Sequence, residues 1–403
     1  MHIRPILSAM RRNKVGAFLI ALQMAITLAI LCNALFIIQQ RLSMMGRPSG
    51  IDEANIFTMK NQWVGTPEDL SARVAGDLAA LRSLPGVVDA YASNSFPLSG
   101  GGWSEGISLG PDQKHSTAHT TLYFTDEHAL DTLGVKLVAG RNFSTDEITD
   151  RAEDPATPAV IIISKTLSEK LFPQDGALGK TVYVENKPTT VVGIVEKLQT
   201  PWVSNSFGEK FVEHSMLQPY HFMSMGYSYL VRTRPGQLDA VMKQAQAKLT
   251  EINRARVLDK VRPFTEVRAE AYRNDRGLAI ILGVVCTALL AVTAFGIVGL
   301  TSFWVTQRRR QIGVRRALGA TRRAILSYFQ TENVMIAAAG AAVGTALAIG
   351  LNLWMVTTFE MARINPLYVL AGALAVMLLG QLAVLWPALR AASIPPAMAT
   401  RAA

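Results

Sequence analysis

Residues 307–323 read QRRRQIGVRRALGATRR, with seven arginines and no acidic residue, and they lie between two long apolar runs. Because placing so many charged side chains in the hydrocarbon core of a bilayer would cost too much free energy, this segment must be a loop between two membrane helices. Its apolar positions predict a short helix with a small hydrophobic patch ringed by arginine: Ile312, Val314, Ala317 and Leu318. Gly319 is placed to end that helix and Thr321 to cap the next one. We predict a docking element on the cytoplasmic side of a membrane.

The distribution of charge supports a membrane protein. The chain has 403 residues and a net charge of +10, with a mean hydropathy of +0.23. Residues 39–277 hold 26 Lys and Arg against 28 Asp and Glu, whereas the rest of the chain holds 14 against 2. The positive excess therefore flanks the apolar runs, as in cytoplasmic segments of membrane proteins. We expect no nucleic-acid partner, because the hydrophilic part carries no basic surplus.

Four apolar runs are long enough to cross a bilayer core of about 30 Å. They are residues 15–38, 278–306, 333–356 and 367–389. The basic flanks place an amphipathic helix (1–14), the arginine segment (307–332) and the tail (390–403) on the cytoplasmic side, and the loop 357–366 on the other. Gly340 and Gly344, four residues apart in the third run, favour close helix packing. We expect Gln23, Thr27, Asn33 and Gln381, polar residues inside the runs, to form hydrogen bonds between helices.

Residues 39–277 predict a large α+β domain of two lobes, inserted between the first and second spans on the outer side. Residues 69–84 have helical spacing, with Leu70, Val74, Leu78 and Leu81 on one face, and residues 159–163 form an apolar run typical of a buried strand. A helix at 165–172, strands at 181–185 and 189–195, and a helix at 238–255 follow. The domain contains no cysteine, so it is not stabilised by disulfide bonds. Cys32 and Cys286 lie in the spans, where we expect a packing contact and no disulfide.

The residues indicate neither a catalytic centre nor a cofactor or metal site in this chain. Residues 175–181 end like a phosphate-binding loop, but Gln174 stands where its first glycine belongs. His115 and His119 are four apart without nearby carboxylate or cysteine partners. No ionisable residue lies in the middle of a span, which argues against an ion-coupled carrier. A soluble partner that docks at the arginine segment would therefore have to supply the energy for any uphill transport.

The whole chain resembles the FtsX-type permeases of the MacB-like (type VII) ABC transporter superfamily. One motif is RRRQIGVRRALGAT at 308–321, followed by Ile325, Phe329, Glu332 and a Gly/Ala-rich span. The outer domain resembles MacB periplasmic domains in four places: Leu133-Gly134 with Gly140, Arg141 and Phe143; LFP at 171–173; LGKTV at 178–182; and VVGIV at 191–195.

This resemblance implies a dimeric permease of the bacterial inner membrane, homodimeric or heterodimeric, that is not itself an enzyme. A cytoplasmic ABC ATPase would bind ATP and Mg²⁺, and its motion would pass through the membrane to the periplasmic domain to drive export from the periplasm. Because the chain begins almost at the membrane, we expect that ATPase on a separate polypeptide. A periplasmic adaptor and an outer-membrane channel are further partners that the resemblance allows. Two alternatives stay open: lipoprotein release, and FtsX-like signalling or regulation of a periplasmic partner without transport.

The resemblance also assigns residues to the contact with the ATPase. They are Arg309, Arg310, Ile312, Arg315, Arg316, Ala317, Leu318, Gly319, Ala320 and Glu332. Glu332 either pairs with the arginines near the membrane surface or is a solvated acid at the start of a helix.

Overall fold

The computed structural model describes residues 14–65, 68–151, 157–203, 211–222, 224–359 and 362–393. The chain divides into a helical unit, formed by residues up to Ser43 and from Arg276 onward, and an α+β unit, Met44–Asp275. The predicted amphipathic helix, except Lys14, and the tail beyond residue 393 lie outside the described residues. The helices are α1 Lys14–Met45, α2 Leu70–Arg82, α3 Ala129–Leu133, α4 Lys165–Leu171, α5 Leu238–Ile252, α6 Phe264–Ala271, α7 Arg273–Gln307, α8 Arg309–Ala317, α9 Arg322–Phe359 and α10 Pro366–Ala392.

Within the described residues, the strands all lie in the α+β unit. They are β1 Ile56–Trp63, β2 Val87–Ser93, β3 Trp103–Ser108, β4 Ala118–Thr125, β5 Leu137–Gly140, β6 Thr149–Arg151, β7 Val160–Ser164, β8 Thr181–Val184, β9 Lys187–Val195, β10 Ser215–Phe222, β11 Gly226–Thr233 and β12 Arg256–Pro263.

Four helices in the described part of the chain, α1, α7, α9 and α10, are long and apolar enough to cross a membrane, which supports a membrane protein. Each predicted span lies inside one of them, and the helices are longer than the apolar runs because polar residues continue them at the ends. The largest extension is in α9, which begins at Arg322. Residues 322–332 of the predicted segment 307–332 are therefore the first part of a long helix.

Close backbone contact joins α1 to α9 at the two predicted glycines. A Cβ atom on Gly340 would lie 2.7 Å from the carbonyl oxygen of Ala21, and one on Gly344 would lie 2.8 Å from that of Ala25. Such distances leave no room for a side chain, so the prediction of tight packing at these glycines is confirmed.

Polar residues of α1 bond to other helices. The Thr27 and Thr293 hydroxyls lie 2.8 Å apart, and Asn33 donates to the carbonyl of Ala348 at 3.1 Å. Gln23 likewise donates to a carbonyl of α7. Cys32 and Cys286 are free and buried in one apolar cluster.

The first lobe of the α+β unit is a four-stranded sheet with the order β12-β1-β11-β2. Each outer strand follows a helix along the chain, α2 before β2 and α5 before β12, which is the β-α-β-β-α-β arrangement of ferredoxin-like folds with a long insertion after β2. The predicted apolar face of α2 packs on this sheet through Val74, Leu78 and Leu81. The helix begins where Asp69 accepts the N–H of Ala72 at 2.9 Å.

The second lobe is the insertion, and six of its strands close into a ring. The order is β4-β3-β8-β9-β7-β10, and β10 pairs with β7 on one side and with β4 on the other. Closure removes the sheet edges that would otherwise be open to pairing with another chain. The predicted strand at 159–163 is β7, and Ile161 and Ile163 are in the buried core of this lobe.

Candidate coupling segment

The short helix α8 ends, and the next helix α9 begins, at the two residues that the sequence predicted. At its end, Gly319 has a φ of +96°, its N–H bonds to the carbonyl of Arg316, and the N–H of Ala320 bonds to that of Arg315 at 3.0 Å. This pair of bonds is a Schellman motif, which requires a left-handed residue such as glycine. The Thr321 hydroxyl then accepts the N–H of Ala324 at 3.2 Å and caps α9. Both predicted roles are confirmed.

The inner side of α8 holds the helix against the rest of the helical unit. Ile312 is buried in the apolar cluster that also contains Ile325 and Phe329 of α9, and Gly313 is buried beside it. The prediction that four apolar residues form one patch is therefore wrong for Ile312. Ile312 faces the core, because α9 presents an apolar surface on that side, and it is not available to a partner.

The outer side of α8 carries the remaining apolar residues. The side chain of Leu318 is 83% exposed and that of Val314, one turn earlier, is 47% exposed. Ala317 is exposed between them, and Arg310 precedes them on the same side of the helix. We name Val314, Ala317 and Leu318 the exposed patch. A leucine so exposed beside arginines offers apolar area whose burial would contribute binding energy, while the charge would steer a partner's approach.

A buried ion pair joins the start of α8 to α9. Glu332 is 3% exposed, and its carboxylate accepts two bonds from the guanidinium of Arg308, at 3.0 and 3.2 Å. The structure thus decides between the two alternatives for Glu332, since it is neither solvated nor turned toward a partner surface. Its role is to hold the segment in place. Arg308 is not among the residues that the resemblance assigns to the ATPase contact, although a lone acid in the helix after an arginine cluster is a signal for such a pair.

Two of the predicted docking arginines bind within the chain. Arg316 donates to the carbonyl oxygen of Ala392 at 2.5 Å, near the C-terminal end of α10, where unpaired helix carbonyls attract cations. The guanidinium of Arg315 lies over the ring of Tyr328 in α9, 5.0 Å from its centroid. Both contacts fix the orientation of α8, so these arginines position the exposed patch.

The remaining arginines of the segment are accessible. Arg309 and Arg310 at the start of α8, and Arg322 and Arg323 at the start of α9, are all exposed. The segment as a whole therefore presents positive charge around a protruding leucine. It can bind an acidic, partly apolar protein surface, and it brings no nucleophile or general base together.

Within the described residues, one group of side chains is close enough to share a cation, and it lies in the α+β unit. Ligand atoms of Asp126, Glu127 and His221 all lie within 4.8 Å of one another. Arg82 already reaches Asp126 at 3.4 Å, and His221 pairs with Asp150 at 3.0 Å. This group is accounted for by ion pairs. It includes neither His115 nor His119, the pair that sequence spacing singles out.

Comparison with known proteins follows the same two parts of the chain. Residues 17–252 match the family described as MacB-like periplasmic core domain, and residues 283–396 match the one described as FtsX-like permease C-terminal. The macrolide export ATP-binding/permease protein MacB of Chromobacterium violaceum is 28% identical over 268 residues, which are 65% of this chain and 40% of that protein. The uncharacterized ABC transporter permease YknZ of Bacillus subtilis is 24% identical over 328 residues, 81% of this chain and 78% of YknZ.

Among solved structures, the periplasmic region of MacB from Actinobacillus actinomycetemcomitans is 17% identical, covering 54% of this chain and 94% of that one, with a TM-score of 0.34. The chain spans about two fifths of the length of the MacB proteins it matches. The periplasmic-domain match alone takes in more than half of the chain. The chain therefore belongs to the MacB-like ABC transporter permeases, with a MacB-like periplasmic core domain and an FtsX-like permease C-terminal domain.

Proposed function

We propose that this protein is the permease of a MacB-type ABC transporter, in which a cytoplasmic ATPase moves the membrane helices and so drives the periplasmic domain to export material from the periplasm. The observation that carries the proposal is the exposed patch on α8. It is an apolar surface with an arginine border, held on a helix that is itself fixed to α9 and α10. Family membership supports the general role of a permease.

The arrangement that we propose in the membrane follows from charge. Outside residues 39–277 the chain carries 14 Lys and Arg against 2 Asp and Glu, and such an excess marks cytoplasmic segments. We place α8 and both termini in the cytoplasm, with α1, α7, α9 and α10 crossing the inner membrane. The α+β unit then lies in the periplasm, inserted between the first and second spans. A second permease copy completes the transporter in this proposal.

The contacts of α8 explain how force would pass through it. Arg308 links the start of the segment to Glu332 in α9, and Arg316 links its end to Ala392 in α10. A displacement of the exposed patch by a docked ATPase would therefore move these helices together instead of bending a free loop. In this proposal ATP and Mg²⁺ stay on the ATPase, and this chain supplies the docking surface and the connection.

The substitution Leu318→Asp tests the proposal. It places a charge at the centre of the exposed patch without touching the internal contacts of Arg315 and Arg316. In complexes reconstituted with the cognate ATPase, we expect the permease-dependent part of ATP hydrolysis to fall by about tenfold or more, as for loss of an interface hot spot.

A matched control is Leu109→Asp, because Leu109 is also exposed but lies in the α+β unit. It should leave ATP hydrolysis unchanged. A Leu318→Asp variant that assembles with the ATPase and keeps wild-type stimulation would contradict docking at this patch.

A further inference from the structure

A small cavity in the α+β unit has no role in the proposed coupling. Its volume is about 250 Å³, and it lies between the loop 94–101 and three strands, β1, β11 and β12. Phe57 and Met59 of β1 pack into the core beneath α2 and α5, so the alternate residues Thr58 and Lys60 face the cavity side of the sheet. The volume is below the roughly 300 Å³ of sites for drug-sized ligands, which fits a small ion or a single polar group.

Positive charge dominates the wall of this cavity. Lys60, Lys260 and Arg262 line it, and the lining residues that the structure describes include no carboxylate. Two acids lie nearby, and each already has a partner. Glu270 pairs with the guanidinium of Arg262, and the Asp259 carboxylate accepts the backbone N–H of Lys260 at 2.8 Å. The two lysine ammonium groups make no ion pair within the described residues.

The pKa of Glu270 reports the same positive potential. Its pKa is lowered first by the hydrogen bond from Arg262 and then by the charges of Arg262, Lys260 and Arg273. Of these cations, Arg262 and Lys260 line the cavity.

A hydroxyl group of β1 lines the cavity. Thr58 is 2% exposed and lines the cavity, and in the described part of the chain its hydroxyl makes no hydrogen bond. This hydroxyl can therefore donate a hydrogen bond to a ligand in the cavity. On the opposite wall the Ser95 and Ser99 hydroxyls both reach the carbonyl oxygen of Gly101, at 2.5 and 2.8 Å.

The backbone is distorted where the lysines enter. The pairing of β1 with β12 shifts register between Thr58 and Lys60, and Lys260 opposite has a φ of +49°. A bulge of this kind redirects side chains out of the regular alternation, and left-handed backbone at a non-glycine residue is uncommon. The distortion brings Lys60 and Lys260 to the same cavity.

We propose that this cavity binds phosphate, either as the free ion or as a phosphate group on a larger solute. A phosphate group carries about 1.5 to 2 negative charges at neutral pH and three strong acceptor oxygens, which match the ammonium groups of Lys60 and Lys260 and the hydroxyl groups of Thr58 and Ser228. A carboxylate would satisfy fewer of these donors. The ligand would bind residues of the α+β unit and none of the coupling segment, so the inference does not depend on the proposed docking.

Calorimetric titration of the full-length protein in detergent, at low ionic strength, tests this inference. The probes are inorganic phosphate and glycerol 3-phosphate. We expect saturable binding at one site, weakened at least about tenfold when Lys60→Met and Lys260→Met are combined, since charge-assisted hydrogen bonds are lost. Thr58→Val, which keeps the shape of the side chain, should weaken binding severalfold.

The matched control combines Lys187→Met and Lys243→Met, which removes the same net charge from exposed positions elsewhere in the α+β unit and should leave the affinity unchanged. Binding of inorganic phosphate alone would identify the free ion as the ligand, and binding of both probes would identify a phosphate group on a larger solute. The inference is overturned if neither probe binds saturably to the wild type, or if the double lysine variant binds as the wild type does.

Discussion

Arg308 donates two hydrogen bonds to the carboxylate of Glu332, 24 residues later in the chain, at 3.2 and 3.0 Å. The side chains are 14% and 4% exposed, so water screens the pair poorly. The pair ties the start of the exposed coupling helix to the long helix α9. It is the contact that makes the arginine segment a defined structure rather than a tether.

Loss of one partner of this pair should destabilise the helical unit. In Glu332→Gln the guanidinium of Arg308 stays buried without a countercharge, and removing one member of a buried pair typically lowers the free energy of unfolding by about 3 kcal/mol. Thermal and denaturant unfolding in detergent would measure the change. The combined variant Arg308→Met with Glu332→Met should recover most of the loss, and wild-type stability in Glu332→Gln alone would contradict the assignment.

Gly319 should be needed for its backbone conformation. Because its φ is +96°, the substitution Gly319→Ala places a Cβ in left-handed backbone and should lower the free energy of unfolding by about 1 kcal/mol. Gly350 is the matched control, since it lies inside α9 with open space where a Cβ would lie. Gly350→Ala should leave stability unchanged or raise it, and equal losses in both variants would argue against the capping role.

Gly344 should be needed for its size. A side chain there would meet the carbonyl oxygen of Ala25 at 2.8 Å, so Gly344→Val must separate α1 from α9. Overpacking of this kind costs about 1–3 kcal/mol, and we expect a lower melting temperature together with weaker assembly. Gly299→Val, at a helical glycine in α7 with nothing within 4 Å, serves as the comparison. A Gly344→Val protein as stable as that control would refute close packing at this point.

Asp126 should make the stability of the α+β unit depend on pH. Burial raises the pKa of its carboxyl to about 6, partly offset by the positive charges of Arg82 and His128. Since the folded state holds the proton more tightly than the unfolded state, this stabilisation is present below about pH 4 and is lost as the pH rises through about 6.

Asp126→Asn removes that ionisation while His128 and His221 remain. From pH 4 to pH 7, the stability of Asp126→Asn relative to the wild type should rise by up to about 3 kcal/mol. Denaturant unfolding of the full-length protein followed by tryptophan fluorescence would measure it. A difference that stays constant with pH would show that Asp126 does not titrate in this range.

Local sequence patterns predicted much of the α+β unit. Predicted helices and strands agree with α2, β7, α4, β8, β9 and α5 to within about three residues at each end, because periodicity and turn residues act over a few neighbours. The pairing of β10 with both β4 and β7 could not be predicted from the sequence. These strands are far apart along the chain, and the residues of a strand do not by themselves specify which other strand it pairs with.

The sequence by itself determined where this chain can cross a membrane, which side its charge favours, and where α8 ends. Each of these depends on a local quantity: the length of an apolar run, the count of arginines beside it, or a glycine at a helix terminus. Only the tertiary structure decided which apolar residues of α8 are exposed, because Ile312 is buried in a cluster that residues of other helices complete. It also decided that Arg308 and Glu332 form a pair and that Thr58 and Lys260 share a cavity, since burial and charge pairing depend on neighbours that the fold brings together.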